Sequence, residues 1–358
     1  RSVGALLFLP GWRFALVGWL ILDGKNEFES MQHAMSLKLF VAALALLFAT
    51  SASARTFDIN GDVVGELVLG SSLQADTLSD LARVYDQGYL EMRWANPNID
   101  PWLPGDETEI MIPSMYILPS APRQGIIVNV PEMRLYYFAD VKSSEPRQVA
   151  THPISIGRQQ WTTPHGATKI TAKVKDPNWY PPESIRAEHA EAGDPLPKIV
   201  PAGPDNPLGA FKMRLGFPGY LIHGTNKPYG IGMRVTHGCV RMYPKDVEQI
   251  FNSVKVGTPV HIVNQPYKVG IAHDKVYLEV HPHLVEDRDV FRDQFSHVVE
   301  LIVTKTTGYE VHLNWTALQD AIREKNGMPT SVGVLNNRAA QNADAAGLFK
   351  VGEFEGVN

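Results

Sequence analysis

The sequence predicts a mainly β protein: a sandwich or barrel flanked by two small α+β units. Residues 125–130 and 134–138 alternate in polarity and are rich in β-branched and aromatic side chains, a pattern typical of a β-hairpin. Two more strand-like segments follow at 149–156 and 167–174. Few helical windows occur between 125 and 263, so a sandwich or barrel is favoured over a βαβ fold.

Length and composition set the outer bounds of the molecule. A chain of 358 residues predicts two or three folded units rather than one. Hydrophobic residues make up 44% and charged residues 20%, which is ordinary for a globular protein with a sizeable core. The net charge of −5 argues against nucleic acid as a partner, because such proteins usually carry a basic surface.

Residues 1–54 are interpreted as an upstream segment and a signal peptide. The charged start Met35-Ser36-Leu37-Lys38, the apolar run at 39–49 and the small residues Ala52-Ser53-Ala54 have the layout of a secretory signal. A buried helix is the less favoured alternative, because the run ends in Ser and Ala. Residues 1–34 are either a membrane anchor or, as we favour, sequence upstream of the true start at Met35. We therefore expect an exported protein.

Residues 64–118 predict a small separate unit with the order strand, helix, helix, strand. Asp76-Thr77 resembles a helix cap and precedes apolar residues at helical spacing. A second helical stretch at 88–94 ends in the turn signal Asn96-Pro97-Asn98, and 109–113 closes the unit with a strand.

Three features follow or interrupt the central β domain. Residues 176–207 are rich in proline and form either a lid or cleft wall, or a surface crossover packed on the domain. Residues 265–332 predict an α+β appendage, with a strand at 275–280 and a helix at 317–325. Residues 333–358 are expected to form a flexible tail.

The chain contains one cysteine, Cys239, which has no partner for an internal disulfide. In an exported protein such a thiol is idle, forms an intermolecular bridge or acts as a nucleophile. His223 lies 16 residues upstream, and small residues surround both positions. This combination favours the nucleophile, because an imidazole can take the thiol proton.

Neighbouring residues suggest how such a nucleophile would work. The Gly224 carbonyl is free to accept a proton from the His223 ring, and the amides of Gly238 and Cys239 are candidate donors to an oxyanion. Arg241 is suited to a bidentate grip on a carboxylate.

The N-terminal unit carries a family resemblance. Asp76-Thr77-Leu78, Asn96-Pro97 and Pro104-Gly105 look like the LysM family, which binds glycans containing N-acetylglucosamine. The opening is Ala75-Asp76-Thr77 rather than the usual Gly-Asp-Thr. A spacer domain without sugar affinity is the alternative.

The cysteine segment carries a stronger resemblance. His223-Gly224 and Thr236-His237-Gly238-Cys239-Val240-Arg241 resemble the L,D-transpeptidases of the YkuD type. The resemblance implies a YkuD-type β-sandwich over 123–264, with Cys239 as nucleophile and His223 as base, oriented by Gly224. It also implies that His237 and Gly238 shape the site near the oxyanion hole, and that Arg241 and Thr236 contact substrate.

The domain layout resembles, more narrowly, the Gram-negative enzymes that attach Braun-type lipoprotein to peptidoglycan. This implies a periplasmic enzyme that transfers a tetrapeptide stem from a Cys239 thioester to the terminal Lys of an outer-membrane lipoprotein. The alternatives are 3-3 cross-linking, hydrolysis, or a non-catalytic peptidoglycan-binding protein. No cofactor and no metal are implied, and His281 and His283 are expected at the surface.

Overall fold

A computed structural model describes residues 56–139 and 148–336. The predicted upstream segment and signal peptide lie outside the described residues, as does most of the predicted tail. Within the described ranges, no helix combines the length and the apolar character needed to span a bilayer.

The N-terminal unit has the predicted order of strands and helices. Strand β3 pairs antiparallel with β4, and β2 pairs with β5. A preceding strand, β1, adds to the central domain instead. The elements are β1 (Thr56–Asp58), β2 (Val63–Gly65), β3 (Val68–Ser71), α1 (Leu78–Val84), α2 (Tyr89–Ala95), β4 (Glu109–Ile112) and β5 (Met115–Ile117).

Local chemistry explains where these elements begin and end. Thr77 caps α1: its hydroxyl accepts from the Asp80 amide, and the Asp80 side chain accepts from the Thr77 amide. The strand pattern at 64–68 is interrupted at Gly65, whose φ is +75°. A β-carbon there would lie 2.0 Å from the Ser114 carbonyl oxygen, so glycine is required and the segment divides into two short strands.

The central domain contains nine further strands and two helices within the described residues. Its long strands match the predicted hairpin and the two segments that follow it. The elements are β6 (Gly125–Asn129), β7 (Arg134–Phe138), β8 (Gln148–Gly157), β9 (Gly166–Lys175), α3 (Glu183–Glu191), β10 (Phe211–Leu215), β11 (Leu221–His223), β12 (Arg234–Thr236), β13 (Val240–Met242), α4 (Pro244–Ser253) and β14 (Pro259–Val263).

Two sheets of this domain share their long strands. One half of β8 pairs with β7 and its far end pairs with β13, while β9 pairs with β14 and then with β10. The order β8-β13-β11-β10-β9-β14-β6-β7 therefore returns to β8 and closes on itself. The two faces enclose an apolar core, so the predicted sandwich is present with its edges joined. Core members include Ile126, Leu135, Ile154, Ile170, Met213, Ile222, Val240, Met242, Ile250 and Val260.

The C-terminal unit has its own sheet and its own core. The strand order is β15-β16-β18-β17, and two helices cover the sheet. The second helix was expected, whereas the first was not. The elements are β15 (Tyr267–Ala272), β16 (Lys275–Val280), α5 (Gln294–Lys305), β17 (Glu310–Leu313), α6 (Trp315–Glu324) and β18 (Thr330–Asn336).

Residues 333–336, expected to begin the flexible tail, belong to strand β18. Leu335 in this stretch is buried in the core of the C-terminal unit, and Val311 of β17 pairs with it. Burial of this apolar side chain extends the ordered unit to Asn336.

A buried polar cluster, here called the junction, joins the three units. The Lys268 ammonium contacts Glu132 at 2.8 Å and Glu279 at 2.7 Å, and it donates to the Ile117 carbonyl at 2.7 Å. The Glu279 carboxylate accepts in turn from the Ile117 amide at 2.6 Å. His281 also contacts Glu279 and is buried, so its expected surface location was wrong. Through the junction, Lys268 and Glu279 of the C-terminal unit contact Ile117 of the N-terminal unit and Glu132 of the central domain.

Candidate active site

The candidate site lies where two parallel strands of the central domain meet. Strand β11 pairs with β13 so that Ile222 lies opposite Val240, and His223 opposite Arg241. This register places Leu221 opposite Cys239, one residue before β13. Because side chains alternate along a strand, His223, Arg241 and Cys239 face the same side. The register thus places the predicted base and the predicted nucleophile on one face of neighbouring segments.

His223 is 5% exposed and has a defined tautomer. Its Nδ1 lies 2.7 Å from the Gly224 carbonyl oxygen, which only accepts, so Nδ1 carries the proton and donates. Burial, together with the Arg241 guanidinium, lowers the pKa of His223 to about 3. The ring is therefore neutral at physiological pH, and its other nitrogen can accept a proton.

Cys239 is partly exposed, and its sulfur lies 3.8 Å from the Gly219 carbonyl oxygen. Burial of the thiol raises its pKa, while a hydrogen bond from the Leu221 amide and the charge of Arg241 act in the opposite direction. Thiol and imidazole are therefore both uncharged at rest.

The turn before Cys239 is held by threonine hydroxyls. Thr236 Oγ1 donates to the Cys239 carbonyl at 2.7 Å and accepts from the Gly238 amide at 3.2 Å. Thr163 Oγ1 donates to the Gly238 carbonyl at 3.0 Å. Gly238 has a φ of +99°, and a β-carbon there would lie 2.7 Å from the Tyr220 ring. Glycine is required at this position.

This turn corrects two expectations. Thr236, expected to contact substrate, is 2% exposed and has its hydroxyl occupied within the turn, so it positions Cys239 instead. The Gly238 amide, expected to stabilise an oxyanion, donates to Thr236 in this structure.

His237, expected to shape the oxyanion region, belongs to a charged group beside the turn. Its Nε2 lies 2.9 Å from a Glu188 oxygen and 2.8 Å from Arg158. Arg158 also contacts Glu188 at 2.6 Å, and the Trp161 ring packs edge-on against His237. Hydrogen bonds from Arg158 and His237 lower the pKa of the Glu188 carboxyl. We call Arg158, Glu188 and His237 the latch.

The latch shows where the proline-rich excursion lies. Glu188 is on α3, inside the segment 176–207, and its contacts hold this segment against the turn that carries Cys239. The sequence did not mark Arg158, Glu188 or Trp161 as site residues. Only the proline content of the excursion indicated a wall beside a cleft.

Arg241 lies beside the nucleophile with its guanidinium partly exposed. Burial lowers its pKa, and the nearby Cys239 raises it. Its Nε atom is buried and has no hydrogen-bond partner within the described part of the chain. Because the side chain as a whole is half-buried, an anionic substrate can reach the guanidinium only through its exposed part.

These features define the chemistry that the site can perform. A neutral imidazole with a fixed tautomer can take the proton of a nearby thiol as the sulfur attacks a carbonyl. A positive side chain next to both can hold an anionic group of the substrate. The arrangement suits acyl transfer through a thioester.

Comparisons with known proteins agree with this chemistry. Residues 123–262 match the L,D-transpeptidase catalytic domain of the YkuD family. The chain is 38% identical over 307 residues to the probable L,D-transpeptidase YbiS of Escherichia coli, covering 82% of this chain and 98% of that protein.

Two further relatives from Escherichia coli show similar identity. The probable L,D-transpeptidase ErfK/SrfK is 36% identical over 82% of this chain and 96% of its own length. The probable L,D-transpeptidase YcfS is 39% identical over 71% of this chain and 81% of its own length. The similarity thus extends beyond the central domain, and the chain belongs to the YkuD family of L,D-transpeptidases, among Gram-negative enzymes of the ErfK type.

Proposed function

We propose that Cys239 carries the acyl group of a peptidoglycan tetrapeptide stem as a thioester. The observation that supports this most directly is the shared face of Cys239 and His223 on adjacent parallel strands. As the sulfur attacks the carbonyl of the third stem residue, diaminopimelate, His223 takes the thiol proton. The ring then returns this proton to the amine of the departing terminal D-Ala.

The second half of the reaction needs an amine acceptor. Its nitrogen attacks the thioester carbonyl, His223 takes the amine proton, and the Cys239 thiol is regenerated. We propose that the acceptor is the terminal Lys side chain of a Braun-type lipoprotein. The three-unit layout and the similarity to ErfK-type enzymes over most of the chain support this choice.

The environment proposed for this reaction is the periplasm. A signal-like segment at 35–54 supports export. The single cysteine is compatible with an oxidising compartment, since it has no internal partner for a disulfide. The N-terminal unit is proposed to hold the glycan strand, as its resemblance to LysM implies. Arg241 is proposed to hold a stem carboxylate.

The test is a reaction of the purified full chain with tetrapeptide muropeptides and two competing amines. One is a peptide ending in Lys, and the other is a second tetrapeptide stem. Mass spectrometry should show a Cys239 thioester, loss of D-Ala and a product joined through the Lys side chain.

Two variants complete the test, and three other outcomes would each favour a different function. Cys239→Ala should abolish the thioester and every product, whereas His223→Gln should leave a folded protein that acylates far more slowly. Joined stems would favour 3-3 cross-linking, and release of D-Ala alone would favour hydrolysis. Muropeptide binding that is equal in the parent and in Cys239→Ala, without any thioester, would instead identify a non-catalytic binding protein.

A further inference from the structure

A second cluster of titratable side chains lies between the N-terminal unit and the central domain. Asp86 follows α1 in a backbone conformation with a φ of 55°. His152 lies on β8, and Asp246 lies in the first turn of α4. One ligand atom from each of these three residues lies within 4.8 Å of the other two. We call these residues the Asp-His-Asp cluster.

The polar atoms of this cluster are buried without partners. His152 is 0% exposed, and within the described ranges neither of its ring nitrogens has a hydrogen-bond partner. One carboxylate oxygen of Asp86 and one of Asp246 are also buried without a hydrogen-bond donor among the described residues. Buried polar groups are almost always satisfied, because an unpaired one costs about 1–3 kcal/mol. A proton shared between the Asp86 and Asp246 carboxyls can pair those two oxygens. Both nitrogens of His152 still lack a partner among the described residues, and they point to a missing ligand.

The distances between the cluster atoms indicate what kind of partner fits. His152 Nδ1 lies 3.7 Å from an Asp86 oxygen and 3.6 Å from an Asp246 oxygen. Both distances exceed those of a normal hydrogen bond. Ligands about 2.1 Å from a tetrahedral zinc ion lie about 3.4 Å from one another, which is close to the observed separation.

The charges of the cluster also call for a cation. The Arg134 charge acts to lower the pKa of Asp86, His152 and Asp246. Its guanidinium, however, is bound by Glu91 at 2.7 Å and 2.8 Å. Burial, followed by mutual repulsion, raises the pKa of Asp86 to about 7, and burial raises that of Asp246 to about 6. Burial also lowers the pKa of His152 to about 4, so its ring is neutral and can offer a lone pair.

The junction provides a contrast within the same molecule. Glu132, Glu279 and His281 also lie at metal-ligand spacing, but the Lys268 ammonium already lies between their carboxylates. The Asp-His-Asp cluster has no comparable ammonium among the described residues that contact it. In the junction, an ammonium already occupies the place that a metal ion would take.

We propose that Asp86, His152 and Asp246 bind one divalent transition-metal ion, with Zn²⁺ as the best fit to the nitrogen and oxygen donors. An imidazole combined with two carboxylates suits this class of ion. The Asp86 side chain is 20% exposed, which provides an entry path and room for a water ligand. The bound ion ties the N-terminal unit to strand β8 and to the helix that follows the Cys239 strand. The proposal does not depend on the identity of the acyl acceptor.

The test uses the full chain with Cys239→Ala, because a free thiol also binds soft metals. After treatment with a chelator, the protein is titrated with ZnCl₂ by calorimetry and with CoCl₂ by visible absorption. Asp86→Asn and Asp246→Asn remove one charged ligand each at nearly constant shape. Glu248→Gln is the matched control, since it removes the same charge from an exposed position on α4.

The expected result is one Zn²⁺ per chain, with the intense visible bands of four-coordinate cobalt. Each Asn variant should lose affinity at least about tenfold, while Glu248→Gln binds like the parent. At pH 8, above the Asp86 pKa of about 7, the metal-free Asp86→Asn variant should melt higher than the parent, because one buried charge is gone. Zn²⁺ should no longer raise its melting temperature. No stoichiometric binding, or binding that is unchanged in both Asn variants, would overturn the proposal.

Discussion

Cys239 and His223 are uncharged before substrate arrives. Burial raises the pKa of the thiol and lowers that of the imidazole to about 3, which disfavours a preformed thiolate–imidazolium pair. Arg241 favours the thiolate but disfavours the imidazolium, since it carries the same charge as the protonated ring. In the proposed reaction the proton therefore transfers during the attack, and the Gly224 carbonyl, which His223 Nδ1 contacts, stabilises the charge that develops on the ring.

The reactivity of Cys239 toward iodoacetamide should reflect its raised pKa. We expect the alkylation rate to keep rising above about pH 9, with no step near pH 6.5 where an ordinary histidine titrates. Arg241→Gln should shift this curve to higher pH, because the removed charge stabilises the thiolate. Mass spectrometry of the modified peptide measures the rate. A rate that is already constant below pH 7 would show a preformed thiolate instead.

Thr236 offers a test of how the nucleophile is positioned. Thr236→Val leaves the Cys239 carbonyl and the Gly238 amide unpaired, at a cost of about 1–3 kcal/mol for each buried group. We expect kcat to fall about tenfold or more with little change in KM, because the turn carrying the sulfur loosens. Thr236→Ser keeps the hydroxyl and should restore kcat. Equal activity of the Val and Ser variants would contradict this role.

At the scale of elements, helix α3 is held against the site mainly by charge. Its Glu188 contacts both Arg158 and His237, and each of these side chains is between 24% and 38% exposed. Exposed ion pairs contribute little to stability and weaken in salt. Salt concentration should therefore change how firmly the proline-rich segment 176–207 is held against the site.

Limited trypsin digestion should detect this attachment. Raising NaCl from low concentration to about 1 M should increase cleavage after Lys198 about twofold to fivefold, because screening weakens the latch. Glu188→Gln should cleave quickly at every salt concentration. Glu191→Gln lies on the same helix outside the latch and should behave like the parent. A salt response that persists in Glu188→Gln would show that other contacts hold the segment.

At the scale of the whole molecule, the junction joins three units that each have a core of their own. Burial alone would raise the pKa of Glu132, but the Lys268 ammonium outweighs this effect and the pKa is lowered. Two buried carboxylates therefore depend on one ammonium. Breaking such a group by removing one partner typically costs 3–5 kcal/mol, as an order of magnitude.

Lys268→Met should therefore destabilise the protein by about 3–5 kcal/mol. Denaturant unfolding followed by tryptophan fluorescence measures the change. Lys305→Met is the matched control, because Lys305 pairs with Asp62 at 2.7 Å in a partly exposed contact worth less than about 1 kcal/mol. Equal losses in the two variants would contradict the structural role of the junction.

Residue patterns predicted the parts of this molecule that depend on local or neighbouring sequence. The hairpin at 125–138 and the cap at Thr77 follow from alternation and capping chemistry. The motif around Cys239 predicted His223 as its base, and the parallel pairing of β11 and β13 places the two residues on the same face. The latch was missed because Glu188 approaches His237 only through the path of the excursion.

The burial of polar residues by distant parts of the chain could not be predicted from local sequence either. His281 looked like a surface residue, because nothing nearby indicates that Glu279 and Lys268 are buried beside it. The same holds for His152 and Asp246, which are distant in sequence and meet only when the ring of strands closes. Burial of polar groups is set by tertiary packing, which local periodicity does not encode.

The contact between Ile117 and Glu279 has a consequence for the order of assembly. The two residues are 162 positions apart, and side chains of the C-terminal unit bind both the amide and the carbonyl of Ile117. Any process that delivers the chain with its N-terminus first presents the N-terminal unit long before its partner arrives. The bonds at Ile117 can therefore form only after the segment that carries Lys268 and Glu279 has been made.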